Sequence, residues 1–327
     1  MKDDLMKRLI YRLGKKIVRI LRIKEPDWYT TKYVEFFGQA ANDLLAQKIE
    51  DAKNGLMVCK FGTVELNAVC CFLMNERGVS AKELFDSIVG RYDVMPESAM
   101  KPLCTNAGFF PNKLELGYQY AHLVKEDIKE IDILGSYDEE EEFLRDDLAH
   151  CTKVDLEGYY APFLWENPWT KQLKGKRILV VHPFTESIQA QYARREKLFT
   201  NPDVLPEFKE LILVKAVQSM AGNGETTGFD TWFDALEYMK QEIDKHDYDI
   251  ALIGCGAYGM NLAAHVKRKG KIAIHLAGWT QMLFGIYGNR WLEDQPEFKK
   301  LINEYWIRPS AQERPKGVEV VENACYW

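Results

Sequence analysis

The chain has 327 residues, 46% of them hydrophobic and 28% charged, with 43 Lys and Arg against 49 Asp and Glu for a net charge of −6. This is globular usage, which excludes disordered, collagen-like and low-complexity classes, and the acidic balance excludes a surface built generally to hold nucleic acid. Seven cysteines, an odd set without a C-x-x-C pair, indicate neither a disulfide framework nor a zinc ribbon and fit a reducing cytosol.

Residues 1–24 carry nine Lys or Arg (Lys2, Lys7, Arg8, Arg12, Lys15, Lys16, Arg19, Arg22, Lys24) against Asp3 and Asp4. Leu5, Leu9, Ile10, Leu13, Ile17, Ile20 and Leu21 recur at helical spacing, so the segment reads as a basic amphipathic helix. Such a helix can lie in the headgroup layer of an anionic inner leaflet or dock on its own domain with a solvated charged face. The membrane reading is preferred, because nine cations in an acidic chain exceed what solubility requires. No stretch approaches 18 uncharged apolar residues, and a signal peptide's unbroken apolar core is missing, so the expected location is cytoplasmic and peripheral, on the inner face of the membrane. Glu25-Pro26-Asp27 is the expected helix break. Residues 1–30 thus form a membrane-surface helix and 31–327 an α/β domain.

A helix is predicted over Gly38 to Lys53, a strand over Leu56 to Phe61 ended by Gly62, and a helix over Val64 to Asn75. Further strands are predicted at Ile131 to Leu134, Arg177 to Val181, Leu211 to Ala216, Asp249 to Ile253 and Lys271 to Leu276. Short apolar strands alternating with helices indicate a doubly wound, mostly parallel, Rossmann-like sheet. Tyr137 to Asp147, with Glu139 to Glu142 in series, reads as a solvated helix face. Trp279, Trp291, Tyr287 and Phe284 read as core, although aromatic faces beside polar groups also hold sugars and bases.

In open α/β sheets, ligands bind beyond the carboxyl ends of the strands, so the informative residues follow each strand. Gly254-Cys255-Gly256-Ala257-Tyr258-Gly259 matches G-x-G-x-x-G after a strand. No Asp or Glu occurs from Met260 to Leu292 to hold a ribose, so a nicotinamide site is disfavoured. A phosphate cradle and glycines serving only helix-to-strand packing remain the two readings. Glu65, in the first turn after the first strand, can ligate Mg²⁺ or Mn²⁺, act as a base or hold a sugar hydroxyl, or be a first-turn acid stabilised by the helix dipole. His182, directly after an apolar strand, can donate to a phosphate or act as a base, with Glu186 in the following turn; a strand-end histidine satisfied by backbone is the plain alternative. Arg194 and Arg195 lie further along and can reach a diphosphate. Gln218, Ser219, His275 and Gln281 complete the polar residues after strands. Nucleophile-elbow, zincin, Walker A and kinase signatures are absent.

Lys60-Phe-Gly-Thr-Val-Glu65, the loop Ile253 to Tyr258, Ile274 to Gly278 with Leu283 to Ile286, Asn289-Arg-Trp291 and the ending Cys325-Tyr-Trp327 resemble bacterial proteins of polysaccharide gene clusters, the GT-D type of glycosyltransferases. The likeness spans roughly residues 35 to 327. It implies transfer of a sugar from a nucleotide-sugar donor, UDP-sugar favoured, to a lipid-linked glycan acceptor. It places Lys60, Gly62, Thr63 and Glu65 at a motif linked to donor and metal binding. Thr63 stands where the family carries Asp, which leaves dependence on Mn²⁺ or Mg²⁺ open. A non-catalytic scaffold of the same pathway, or another polysaccharide-modifying transferase, is the alternative.

Overall fold

The computed structural model of the chain describes residues 2–24 and 26–327. Among these residues seven strands form one sheet: β1 (Leu56–Lys60), β2 (Ile133–Gly135), β3 (Thr152–Val154), β4 (Arg177–His182), β5 (Glu210–Lys215), β6 (Ile250–Ile253) and β7 (Ile272–His275). Their order is β3-β2-β1-β7-β6-β4-β5 and every pairing is parallel. The helices are α1 (Lys2–Leu21), α2 (Gly38–Asp51), α3 (Thr63–Arg77), α4 (Ala81–Ile88), α5 (Pro96–Thr105), α6 (Leu114–Asp127), α7 (Leu156–Tyr160), α8 (Thr185–Tyr192), α9 (Trp232–Asp244), α10 (Gly259–Arg268) and α11 (Trp279–Leu283). This is a doubly wound α/β fold of the Rossmann-like kind.

Successive strand residues point to opposite faces, and both faces are buried. Met57 and Cys59 of β1 join one core with Leu66 of α3, Tyr120 of α6 and Leu262 of α10. Leu56 and Val58 join the other with Leu45 of α2, Trp169, Trp279 and Trp291. That double burial is why the strands read as unbroken apolar runs, and Trp279, Phe284 and Trp291 are core as expected, whereas Tyr287 packs against the core only half-buried. The edge strand β3 is not among the predicted strands: it is three residues long, holds a lysine and buries only Val154 fully.

Helix α1 ends at Leu21, ahead of the predicted break at Pro26. Arg22 takes a left-handed conformation (φ 50°) and the Ile23 N–H returns to the Val18 carbonyl at 3.1 Å, a C-terminal stop that the proline does not need to supply. Met1 and Glu25 lie outside the described residues. The helix docks on α4 through Gly14, where a Cβ would sit 2.7 Å from the Ile88 side chain. Lys7 Nζ donates to the Val79 carbonyl at 3.1 Å and Arg8 pairs with Glu97 at 2.9 Å. The other face is open: Leu9, Leu13, Ile17 and Ile20 are 58%, 53%, 55% and 69% exposed, with Arg12, Lys16 and Arg19 exposed beside them. No described helix is long and apolar enough to cross a membrane.

The acidic run departs from its predicted solvated face. Asp138, Glu140 and Glu141 are buried, because the backbone leaving β2 needs acceptors and these carboxylates supply them. Asp138 Oδ1 accepts from the Glu140 N–H at 3.0 Å, and Glu141 Oε1 accepts from Tyr137 N–H at 3.0 Å and Asp138 N–H at 3.2 Å. Glu140 Oε1 accepts from Asn67 Nδ2 at 2.8 Å, while its Oε2 finds no partner. Burial pushes Asp138 up to about 6 and Glu140 up to about 8. For Glu140 the unfolded chain releases its proton near pH 4.5 and the folded one holds it to about pH 8, so stability drains away as pH rises across that window. Glu140→Gln removes the ionisable group while keeping the oxygen that Asn67 reaches. Thermal melting should show the variant more stable than wild type at pH 8, with the advantage shrinking at pH 5; a melting point at pH 8 equal to or below wild type refutes this account.

Candidate functional site

Parallel pairing aims every strand's carboxyl end at the same edge, and four neighbours in the sheet deliver the site. Lys60 ends β1, His275 ends β7, Gly254 and Cys255 follow β6, and His182 ends β4. They line a cleft of about 1060 Å³, open solvent at its mouth included. Lys60, Gly62, Thr63, Glu65, His182, Gln218, Gly254, Cys255, Gly256, Tyr258, His275 and Gln281 all stand on its wall.

Glu65 occupies the first turn of α3 and folds back over Gly62. A Cβ at Gly62 would collide with the Glu65 carboxylate, so this glycine is there for close approach. Burial raises the Glu65 pKa, against which its own backbone N–H and then Lys60 pull down. Lys60 is driven down to about 8, by burial first and with Arg290 adding to the effect, while Glu65 opposes it. Its ammonium lies 5.2 Å from the Tyr137 ring centre, and among the described residues no carboxylate comes within ion-pair distance of it. The Thr63 hydroxyl lies 3.2 Å from the Tyr137 hydroxyl, which donates to the Phe61 carbonyl at 2.9 Å.

The two histidines are both neutral at ordinary pH, burial lowering each to about 3. His182 Nδ1 accepts from the Phe184 N–H at 3.0 Å, which leaves the ring proton on Nε2. With Nδ1 engaged, His182 presents a hydrogen-bond donor to the cleft, the first of the two roles expected of it. In His275 both ring nitrogens are buried without a partner. The ring lies between the main cleft and a smaller adjoining cavity that Ala257 also lines.

The G-x-G-x-x-G turn is explained by internal packing. Gly254 sits where a Cβ would meet the Ala277 carbonyl and the Thr280 hydroxyl at 2.5 Å each, and Gly256 has φ +57°. At Gly259 a Cβ would strike the His275 ring. The amides of Gly254 and Ala257 are already bonded to the carbonyls of Val181 (2.9 Å) and Ala107 (3.0 Å). Tyr258 stacks on Trp232 with centroids 4.9 Å apart. Burial pushes the Cys255 thiol upward.

Five predicted residues lie off the main cleft, among them Ala257, which lines the adjoining cavity, and Arg195, 3.5 Å from Glu196. Glu186 is on the solvent side of α8, 3.9 Å from Lys215. The reason is that the α8 N-terminus is already filled: the buried Glu313 carboxylate accepts from the N–H groups of Glu186 (2.8 Å) and Ser187 (3.2 Å) and from the Ser187 hydroxyl. Arg194 is exposed beyond the end of that helix, two turns from the strand edge. Ser219 is behind the wall, its hydroxyl donating to the Gly108 carbonyl at 2.5 Å.

The sequence reading overlooked Arg290, Glu322 and Tyr326. Arg290 and Tyr326 were noticed only as part of a resemblance, and nothing local marks Glu322. Arg290 Nη2 bonds the Glu322 carboxylate, its guanidinium lies 4.6 Å from the Tyr326 ring centre, and Gln281 Nε2 donates to the Tyr326 carbonyl at 3.1 Å. Among the described residues no three His, Cys, Asp or Glu cluster as a metal site would require. No family model, curated protein or solved structure matches this chain.

The His275 packing gives a test. Gly259→Ala should cost about 1–3 kcal/mol in urea denaturation of the wild-type background. In a His275→Ala background, with the obstructing ring gone, the same change should be nearly neutral, a coupling of at least about 1 kcal/mol. Equal costs in the two backgrounds would show that the ring is not what excludes a side chain at 259.

Proposed function

We propose that this chain is a glycosyltransferase that moves a sugar from a nucleotide diphosphate donor, UDP-sugar favoured, to a lipid-linked glycan at the inner face of the cytoplasmic membrane. The observation that carries the reading is the cleft at the carboxyl ends of β1, β7, β6 and β4, where one carboxylate of raised pKa stands among cations and a neutral imidazole donor. In the proposed step the Glu65 carboxylate takes the proton of the acceptor hydroxyl. The acceptor oxygen bonds the anomeric carbon, and the bond from that carbon to the diphosphate oxygen breaks, its electron pair leaving with the nucleoside diphosphate. A carboxylate whose pKa is raised is the better base for this. Lys60, Arg290 and the His182 Nε2–H answer the charge gathering on the leaving diphosphate, and Gln218 and the Gly254 to Tyr258 turn border the donor.

The resemblance also implies Mn²⁺ or Mg²⁺. The donor set does not suit a divalent ion: Thr63 replaces a carboxylate and its hydroxyl faces Tyr137, and Glu65 already feels the charge of the Lys60 ammonium. Charge neutralisation is accordingly assigned to side-chain cations. The same replacement keeps a second reading in play, a scaffold that binds nucleotide without turnover.

The exposed apolar stripe of α1, flanked by Arg12, Lys16 and Arg19, supports the membrane part. The full chain should sediment with phosphatidylglycerol-containing vesicles and not with phosphatidylcholine alone, and Leu13→Asp with Ile17→Asp should abolish this. Failure of the unaltered protein to sediment with the anionic vesicles refutes peripheral attachment.

The donor is tested by thermal melting with UDP, GDP, CMP and dTDP sugars, each with Mn²⁺ and with EDTA. A ligand at 100 times its dissociation constant adds about 2.7 kcal/mol. One nucleotide family should raise the melting point, equally in both arms. Glu65→Gln should keep that shift and lose transfer by about 10²-fold or more. No shift with any sugar overturns the transferase; a shift without turnover in the unaltered protein favours the scaffold.

A further inference from the structure

The chain supplies its own anions to two positively charged places, and the two are built differently. At the α8 N-terminus Glu313 is buried and accepts three hydrogen bonds from Glu186 and Ser187, the mark of a permanent fixture. At Arg290 the anion is Glu322, whose side chain is 46% exposed against 22% for the arginine. It reaches the guanidinium from a turn in which three successive non-glycine residues, Glu322, Asn323 and Ala324, have φ of 46°, 55° and 58°. That region is sparsely occupied by L-residues, and three in a row are held there by their surroundings. Arg290 is fixed independently of Glu322: its N–H donates to the Cys325 carbonyl at 2.9 Å and its guanidinium lies over Tyr326. A guanidinium offers a planar fork of donors that suits phosphate oxygens as well as a carboxylate. On the same cleft stands Lys60, a cation with no ion-pair partner among the described residues and close enough to Arg290 to feel its charge.

We infer that Arg290 is the phosphate seat of the cleft and Glu322 its placeholder: a diphosphate displaces the Glu322 carboxylate from the guanidinium, and its second phosphoryl group meets Lys60. Only the identification of that diphosphate as part of a nucleotide sugar rests on the proposed function; the seat itself does not. The placeholder keeps a part-buried arginine paired while the cleft is empty, and it sets a competition that any phosphate must win.

The distinguishing consequence is a gain of affinity on removing a side chain. Inorganic pyrophosphate is titrated calorimetrically into the full-length protein. Glu322→Gln should bind about tenfold more tightly than wild type, since the competing charge is gone and the arginine remains. Arg290→Lys and Arg290→Gln should each bind about tenfold or more weakly, the lysine because it lacks the fork. Lys48→Gln, on the exposed side of α2, should bind as wild type does. Where the melting point of Arg290→Gln reveals misfolding, Arg290→Lys and Glu322→Gln decide. No tightening in Glu322→Gln, undiminished binding in Arg290→Lys, or no pyrophosphate binding at all overturns the inference. Tightening in Glu322→Gln together with no response to any nucleotide sugar keeps the seat and rejects the transferase, so the two readings fail separately.

Discussion

Everything in the cleft depends on the parallel pairing of β1 with β7 at the centre of the sheet. With Val58 opposite Ile274, and Ile253 of β6 opposite His275, residues from distant parts of the chain arrive at one edge with their side chains already aimed there. An antiparallel partner would have sent its carboxyl end to the opposite edge. The pairing also crowds the loops beyond the strands, and the glycines at 62 and 259 answer that crowding: one lets a carboxylate fold over the strand end, the other lets an imidazole press on a helix start. Their absence of side chains is a packing requirement of a converging edge.

Convergence concentrates unbonded backbone N–H groups and cations in a small volume, and the chain responds with carboxylates of its own. Glu313 closes a helix N-terminus, Glu141 closes the backbone after β2, and Glu322 closes a guanidinium. The first two are buried and fully engaged, whereas Glu322 is half in solvent. The acidic composition of this chain is thus partly internal wiring. Counting charges on the whole chain says little about the sign of the field in the cleft, where Lys60 and Arg290 face the same space.

The α/β architecture was readable because burial on both faces leaves an unbroken apolar run followed by glycine, a signal that is local to each strand. Lys60, Glu65, His182 and His275 were found for the same reason: strand ends announce themselves. Other features depended on partners that only the folded backbone brings together. Glu140 and Glu141 look like solvated acids until the donors from Asn67, Tyr137 and Asp138 are in place. Glu186 looked like a site residue because it opens a helix after a strand, and only Glu313, far along the chain, shows that the position is taken. Arg290 opens a single π-helical turn and Glu322 lies in a turn, both too short for any periodicity to mark them. The glycine-rich turn is ambiguous in a different way, since a motif that permits close approach does not say what approaches.

The wall carrying Arg290, Glu322 and Tyr326 follows the last strand in sequence, while Lys60 and Glu65 belong to the first. During synthesis all seven strands are therefore made before the cleft is complete: a nascent chain released as far as His275 lacks the side that bears the arginine and its counter-ion, and with it the Trp279 and Trp291 part of one core. Pairings of such long sequence separation form slowly, and a partly emerged chain exposes the floor of the site meanwhile. Completion of the cleft is then among the last steps in the folding of this chain.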